Sequence, residues 1–390
     1  MSGTSLRWVC TGAALGALCT ALCTTATPAH ATLKAPGPEE RPVSQLLTDL
    51  QRLYQSAEEA TETYNATAEK LKEQRARAAD LDRELAKARA SVRDSRSDAG
   101  RFARQQYQGT GNLSPYMRLL LARDPQRALD QGHVLQRAAA GRAATVRRLT
   151  GGERKAGDLA GAAKRALTAQ TALAARQKKQ RDRADGQLRD VEELLSSLSV
   201  EQLAALRRAE EADTAKAQER FLASGALGGS PAQRAPSRQG DTAVDYAVRQ
   251  IGRPYKWGAE GPKAFDCSGL TQRAWAHAGR KIPRTSQEQW KELRRIPLSK
   301  LRPGDVVVYF PKATHVALYL GDGKVVQAPR PGARVKVSPI AANPVLGAVR
   351  PDPGGRAMRG YTPPKLPAGA GSGSDLGYGR SQAPGATDSR

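Results

Sequence analysis

From Val43 to Phe102, apolar residues recur in alternating steps of three and four, and no proline or glycine interrupts them before Gly100. The seam runs through Val43, Leu46, Leu50, Leu53, Ala57, Ala60, Tyr64, Leu71, Ala78, Leu81, Leu85, Ala88, Val92, Ala99 and Phe102. Thr67, Gln74 and Ser95 are its breaks. A stripe this long and regular predicts one coiled-coil helix, on the order of 90–100 Å at 1.5 Å per residue. So many seam positions are alanine that its partner helix must pack close while each contact buries little area. Gly109-Thr110-Gly111-Asn112 ends this arm, and Leu113 to about Ala122 reads as one or two short helices. A second arm starts at Asp124-Pro125, with proline in its first turn, and runs to Phe221. Its seam is poorer: Val146, Leu149, Ala156, Ala160, Ala163, Leu167, Ala174, Ala184, Leu188, Val191, Leu195 and Leu198, with Gly151-Gly152 and Gly161 expected to weaken it. Arms of similar length fit an antiparallel hairpin; an intermolecular coiled coil is the other arrangement.

The ends of the chain narrow its surroundings. Arg7 precedes a short apolar run, and Ala29-His30-Ala31 supplies a small-x-small cleavage pattern. This predicts an export leader over residues 1–31, cut before Thr32. Export removes Cys10, Cys19 and Cys23 and leaves one cysteine, Cys267, in an oxidising compartment. That cysteine has no internal partner, so it is a reactive thiol or an intermolecular link. The formal net charge of +24 asks for an anionic partner. For an exported chain that partner is the cell wall, with its carboxylates and phosphates, rather than nucleic acid, and sparse aromatic interleaving also speaks against single strands. The basic residues Arg75, Arg77, Arg147, Arg148, Lys178 and Lys179 read as a solvated face of the arms.

The helical region is thus placed at 42–222. A Gly/Ser/Pro/Ala-rich stretch, 223–240, reads as a flexible linker. Residues 241–352 read as a compact domain, and 353–390 as a disordered tail. Within the domain, Asp241 to Ile251 predicts a helix and a second begins at Cys267. A third follows Pro283-Arg284-Thr285-Ser286, with Thr285 or Ser286 as cap. Strands follow at Val306–Phe310, His315–Leu320, Lys324–Ala328, Val335–Val337 and Leu346–Val349, with Gly321-Asp322-Gly323 as a hairpin turn. Helices first and strands second imply an α+β layout.

The chemistry concentrates at Phe265-Asp266-Cys267-Ser268-Gly269-Leu270. A cysteine at a helix N-terminus meets unpaired N–H groups and the helix dipole, which lower a thiol pKa and favour the thiolate nucleophile. Such a nucleophile needs a base and a group that orients the base. His133 lies in the arms, and His277 is ten residues along the cysteine's own helix, too far along its axis. His315 opens a strand that can aim its ring at a helix end, so it is the expected base. Gln327, across the hairpin, is placed to accept the second imidazole N–H. No metal-ligand cluster and no cofactor are expected.

Tyr255-x-Trp257-Gly258, Asp266-Cys267-Ser268-Gly269-Leu270, Pro283-Arg284-Thr285-Ser286, Pro303-Gly304-Asp305 and His315-Val316-Ala317-Leu318-Tyr319-Leu320-Gly321 resemble the NlpC-type cell-wall cysteine peptidases, a branch of the papain-like fold. The resemblance covers about residues 241–352. It implies endopeptidase cleavage of peptidoglycan stems, typically between D-glutamate and a diamino acid, with Cys267 as nucleophile and His315 as base. The family's third residue is commonly histidine and here matches Gln327. Tyr255 and Ser268 match positions lining the family's substrate site, and the Cys267 backbone N–H is the natural oxyanion donor. A coiled coil ahead of such a domain is similar to secreted division-associated hydrolases. That likeness implies a regulatory arm, acting through a membrane-protein or division-complex partner or by covering the cleft. An amidase or acyl transferase on the same fold, and a wall-binding scaffold with a spent site, remain the other readings.

Overall fold

The computed structural model describes residues 42–108, 117, 125–228 and 234–373. The expected leader, nearly all of the stretch 113–122, the middle of the expected linker and the end of the tail lie outside them.

The uninterrupted seam forms one helix, α1 (Val43–Gln108, 66 residues). Helix α2 (Pro125–Ser196, 72 residues) returns beside it. The pairing is antiparallel: Gln74 donates to the Ala166 carbonyl at 3.3 Å, and Arg96 reaches Glu153 at 2.7 Å. Leu71, Leu85, Ala88 and Val92 bury their side chains on α1, and Ala166 and Ala184 do so on α2. Helix α2 runs through Gly151-Gly152 without a break. A Cβ at Gly152 would stand 3.2 Å from Val92 Cγ2, so this glycine lies where the helices touch. The second arm ends earlier than its periodicity suggests, because Ser199 starts a new helix, α3 (Val200–Ala223). The Ser199 hydroxyl accepts from the Gln202 N–H, and the Gln202 side chain accepts from the Ser199 N–H. Where α1, α2 and α3 meet, Leu46, Leu47, Leu50, Tyr54, Val191, Leu195, Leu198 and Leu206 form a closed core. At the other end of the hairpin Phe102, Val134 and Val146 stay exposed.

The C-terminal domain begins with α4 (Arg238–Val248), α5 (Cys267–His277) and α6 (Ser286–Glu292). Six antiparallel strands follow: β1 (Arg294–Ile296), β2 (Val306–Tyr309), β3 (His315–Gly321), β4 (Lys324–Gln327), β5 (Lys336–Pro339) and β6 (Val345–Arg350). Their order in the sheet is β1-β6-β2-β3-β4-β5. β1 is absent from the sequence reading, since three residues with two charges at an edge carry no alternation. The period-two pattern sorts the strands onto two faces. Val306, Val308, Val316, Leu318, Val326 and Val349 pack under α4 and α5, against Ala243, Val244, Leu270, Ala274 and Trp275. Val307, Tyr309, Ala317, Tyr319 and Val325 form the other face, which Leu227 and Ile340 cover.

Two segments of loop-like composition are packed instead of loose. Around the expected linker, Gln218 near the end of α3 donates to the Gly323 carbonyl and accepts from the Ala341 N–H. Leu227 is 4 % exposed, and Ser237 caps α4. The expected tail lies along the domain as far as residue 373. The Val337 N–H, on edge strand β5, donates to the Ala370 carbonyl, and the Met358 N–H donates to Pro236. An open sheet edge must satisfy its backbone groups somewhere, and here a glycine- and proline-rich strap does so.

Leu50 is fully buried in the three-helix core, while Val146 is 56 % exposed. Leu50→Ala is therefore expected to destabilise the helical region by about 2–5 kcal/mol in urea unfolding followed by circular dichroism. Val146→Ala is expected to change it by less than ~0.5 kcal/mol.

Candidate active site

Asp266 caps α5 and fixes the first turn, its Oδ1 accepting from the Gly269 N–H at 2.6 Å. A Cβ at Gly269 would lie 2.3 Å from the Ala259 carbonyl oxygen, so only glycine lets that turn sit against the preceding loop. The buried Arg284 holds Asp266 from the other side at 2.7 and 3.1 Å and donates to Ser268 Oγ at 2.8 Å. Cys267, a free thiol, is the first residue of the helix so fixed and is 3 % exposed. A hydrogen bond from the Val316 backbone reaches it, which brings the start of β3 against the start of α5. The neighbour of Val316, His315, is fully buried, with Nε2 2.7 Å from Gln327 Oε1. Gln327 Nε2 in turn donates to Ser338 Oγ at 2.9 Å. With the amide so turned, the imidazole carries its hydrogen on Nε2 and leaves Nδ1 as the working nitrogen.

A second set of residues reaches this centre from α1. Glu58, Glu62 and Asn65 follow one another at four and three residues, so they share one face of the helix, and all are buried. Glu62 Oε1 accepts from Ser268 Oγ at 2.7 Å and stands 3.6 Å from Cys267 Sγ, and its Oε2 accepts from the Ser286 N–H at 2.9 Å. Glu58 Oε1 stands 3.4 Å from His315 Nδ1. Asn65 donates to Asp266 Oδ2 at 3.1 Å. Around them Tyr64 packs on Trp257 with ring centroids 4.8 Å apart, and Lys312 pairs with Glu59 at 2.9 Å. The helical arm thus covers both the thiol and the imidazole.

The electrostatics differ from the bare helix-terminus expectation. Burial pushes the Cys267 thiol well above its ordinary pKa, and Glu62, Asp266 and Glu58 push it further. The expected lowering is overridden by burial first and by the nearby carboxylate charges second. Burial alone would lower the His315 pKa, but the Glu58 charge and the Gln327 hydrogen bond outweigh it and hold it above its usual value. Glu62 is raised to about 7, by burial first and by the Asp266 charge second, against the opposing pull of Arg284, Ser268 and Ser286.

The remaining residues singled out in the sequence fall at different distances from this centre. Tyr255 is 8 % exposed, and burial together with the Cys267 and Asp266 charges raises its phenol well above its ordinary pKa. Ser268 lies directly on Glu62. His277 stacks on Tyr246 at the far end of α5, and His133 is exposed on α2. The sequence reading left out Glu58 and Glu62, and gave Asp266 and Arg284 no role beyond their place in the motifs. For the two glutamates the available signal was the 58–62–65 spacing of polar residues next to the apolar seam. Among the described residues no group of His, Cys, Asp or Glu is placed to hold a metal ion, and no helix is long and apolar enough to cross a membrane.

Residues 252–347 match the model of the NlpC/P60 family. A probable endopeptidase of Corynebacterium glutamicum is 43% identical over 120 residues, 30% of this chain and 57% of that protein. The peptidoglycan endopeptidase RipA of Mycolicibacterium smegmatis is 42% identical over 123 residues, 27% of this chain and 25% of that protein. The crystal structure of the NlpC/p60 domain of the peptidoglycan hydrolase SagA is 34% identical, covers 28% of this chain and 97% of its own, and superposes with a TM-score of 0.27. The chain therefore spans little more than half, or less, of the length of these curated relatives.

Glu62 faces Asp266, Arg284, Cys267, Ser268 and Ser286, with Glu58 and His315 beside it. Its pKa of about 7 when docked compares with an ordinary 4.5. The docked arm therefore holds a proton that the released arm gives up, so the stability this proton adds to docking declines as pH rises and is gone above about 7, while the packing of the arm remains. Between about pH 5 and 7 the logarithm of the Cys267 alkylation rate with iodoacetamide should climb by up to about one unit per pH unit more steeply in the unaltered chain than in Glu62→Gln, whose arm has no such proton to lose.

Proposed function

We propose that this chain, whose residues 252–347 form an NlpC/P60-family domain, is a peptidoglycan endopeptidase held closed by its own helical arm. The observation that carries it is a single thiol at a helix N-terminus, bonded from the backbone beside an imidazole whose far nitrogen is fixed by Gln327. That arrangement supports acyl transfer through Cys267 and His315.

The reaction follows from the geometry. With the arm lifted, Glu58 and Glu62 leave, the thiol regains solvent, and the proton moves from Sγ to His315 Nδ1. The thiolate attacks the amide carbon, and the carbonyl electron pair moves onto oxygen, where the Cys267 backbone N–H meets it. His315 then gives its proton to the departing amine. Water, deprotonated by the same nitrogen, attacks the thioester and regenerates the thiol. Gln327 holds the ring and its tautomer, and because it is neutral it stabilises the imidazolium less than a carboxylate would. Tyr255 and Ser268 border the acyl side of the cleft. The names of the relatives support stem peptides as substrate, and the bond proposed is the one joining D-glutamate to the diamino acid.

The exported, wall-associated location rests on the leader and on the charge of +24. Closure by α1 gives the arm its role: a membrane-bound or division-complex partner that engages the helices would lift Glu58 and Glu62 from the site.

The test digests purified peptidoglycan with the full chain and reads soluble products by mass spectrometry. Glu58→Ala/Glu62→Ala should release stem fragments with a new diamino-acid N-terminus at least ~10-fold faster than the unaltered chain, the minimum for losing charge-assisted hydrogen bonds. Adding Cys267→Ala should abolish release. Fragments released by the Cys267→Ala chain, or none from the opened chain despite an alkylatable thiol, would contradict the proposal. Gln327→Ala should lower the rate of the opened chain by about 10–100-fold and leave Cys267 alkylation measurable.

A further inference from the structure

The proton that His315 delivers goes to the departing amine, so the amine-side half of the substrate lies against His315 Nδ1. That position is held here by Glu58. Beyond Glu58 a cleft of about 1230 Å³ opens between the arm and the C-terminal domain, bordered on the domain side by Phe310, Pro311, Arg330 and Asn343. Arg330 follows the end of β4, three residues after Gln327, and its charge is felt at His315, where it opposes protonation. Its side chain is only 11% exposed. Two of its partners come from the N-terminal helices: Glu210 of α3 at 3.8 Å, and the Tyr54 ring of α1, which the guanidinium covers at 4.4 Å. Lifting α1 removes the Tyr54 ring and leaves the 3.8 Å contact with Glu210 for an incoming carboxylate to displace, beside the imidazole and on the leaving side of the cleft.

Resting on the endopeptidase reading, we infer that Arg330 is the specificity-determining residue for the leaving side, binding a carboxylate of the amine-side fragment. The planar guanidinium suits a carboxylate in two-pronged contact, and every peptide fragment released as an amine carries at least one carboxylate at its far end. Glu210 holds the place of that carboxylate until substrate displaces it, as Glu62 fills the acyl side while the arm is docked. The pocket is shaped to the chemistry of the product that leaves first.

The experiment uses the full chain carrying Glu58→Ala/Glu62→Ala and titration calorimetry with two probes. One is diaminopimelyl-D-alanine with free carboxylates; the other is the same dipeptide with its carboxylates as amides. The free form should bind ~10-fold more tightly, the scale of one charge-assisted contact. Arg330→Gln should remove that preference by weakening the free form alone, and Arg330→Lys should restore part of it. Equal affinity for the two probes, a preference that survives Arg330→Gln, or binding of neither probe would overturn the assignment. The probe comparison needs no Arg330 variant, so equal affinity overturns the assignment even if that variant fails to fold. Hydrolysis of intact stem peptides by the same opened chain is scored separately. Hydrolysis without the preference sinks only the Arg330 assignment; the preference without hydrolysis sinks only the peptidase reading.

Discussion

Taking a carboxylate out of water costs several kcal/mol unless hydrogen bonds or a proton compensate. Glu62 has both kinds of compensation: Ser268 and Ser286 donate to it, and its pKa rises to about 7. The donors that receive it line the cleft where a substrate must lie, so a helix that satisfies them also closes the site. Glu58 does the same for the imidazole. Neither the thiolate nor a free Nδ1 is available while the two glutamates are in place. The arm masks the chemistry electrostatically as well as sterically, since its charges raise the thiol pKa and hold the imidazole proton.

The rest of the molecule presents those two side chains at the right place. Leu46, Leu47, Leu50 and Tyr54 lock the start of α1 to α2 and α3 about one to three turns before Glu58. At its other end α3 is tied to the sheet through Gln218, with Leu227 just beyond it. The plug segment of α1 is thereby held between a helical core and a sheet face, while toward the far end of the hairpin Phe102, Val134 and Val146 are exposed. Glu58 and Glu62 thus lie near the anchored end of a helix of 66 residues.

Much of this was legible in the sequence. Proline-free heptads specify the arms because helix periodicity is a local property, and the helix runs unbroken through its glycines, of which Gly152 lies against Val92 of α1. The helix start and the hairpin strands single out Cys267, His315 and Gln327 in the sequence, and in the structure these side chains lie together. Glu62 is not singled out, because 205 residues separate it from Cys267 and a glutamate on a charged helix reads as solvated. The polar 58–62–65 face becomes informative only once a second domain is known to cover it. The segments before α4 and after β6 misled for the opposite reason: glycine, serine and proline permit disorder but also permit backbone pairing with an edge strand, and composition alone does not distinguish the two.

The central claim is that the carboxylates of α1 mask an otherwise competent thiol. It is tested most directly by the rate at which iodoacetamide alkylates Cys267 in the full chain at a single pH near 7, read by intact-mass spectrometry, with and without Glu58→Ala/Glu62→Ala. The account predicts alkylation at least ~10-fold faster in the double variant. Equal rates in the two chains would show that the arm does not govern the thiol and would contradict it.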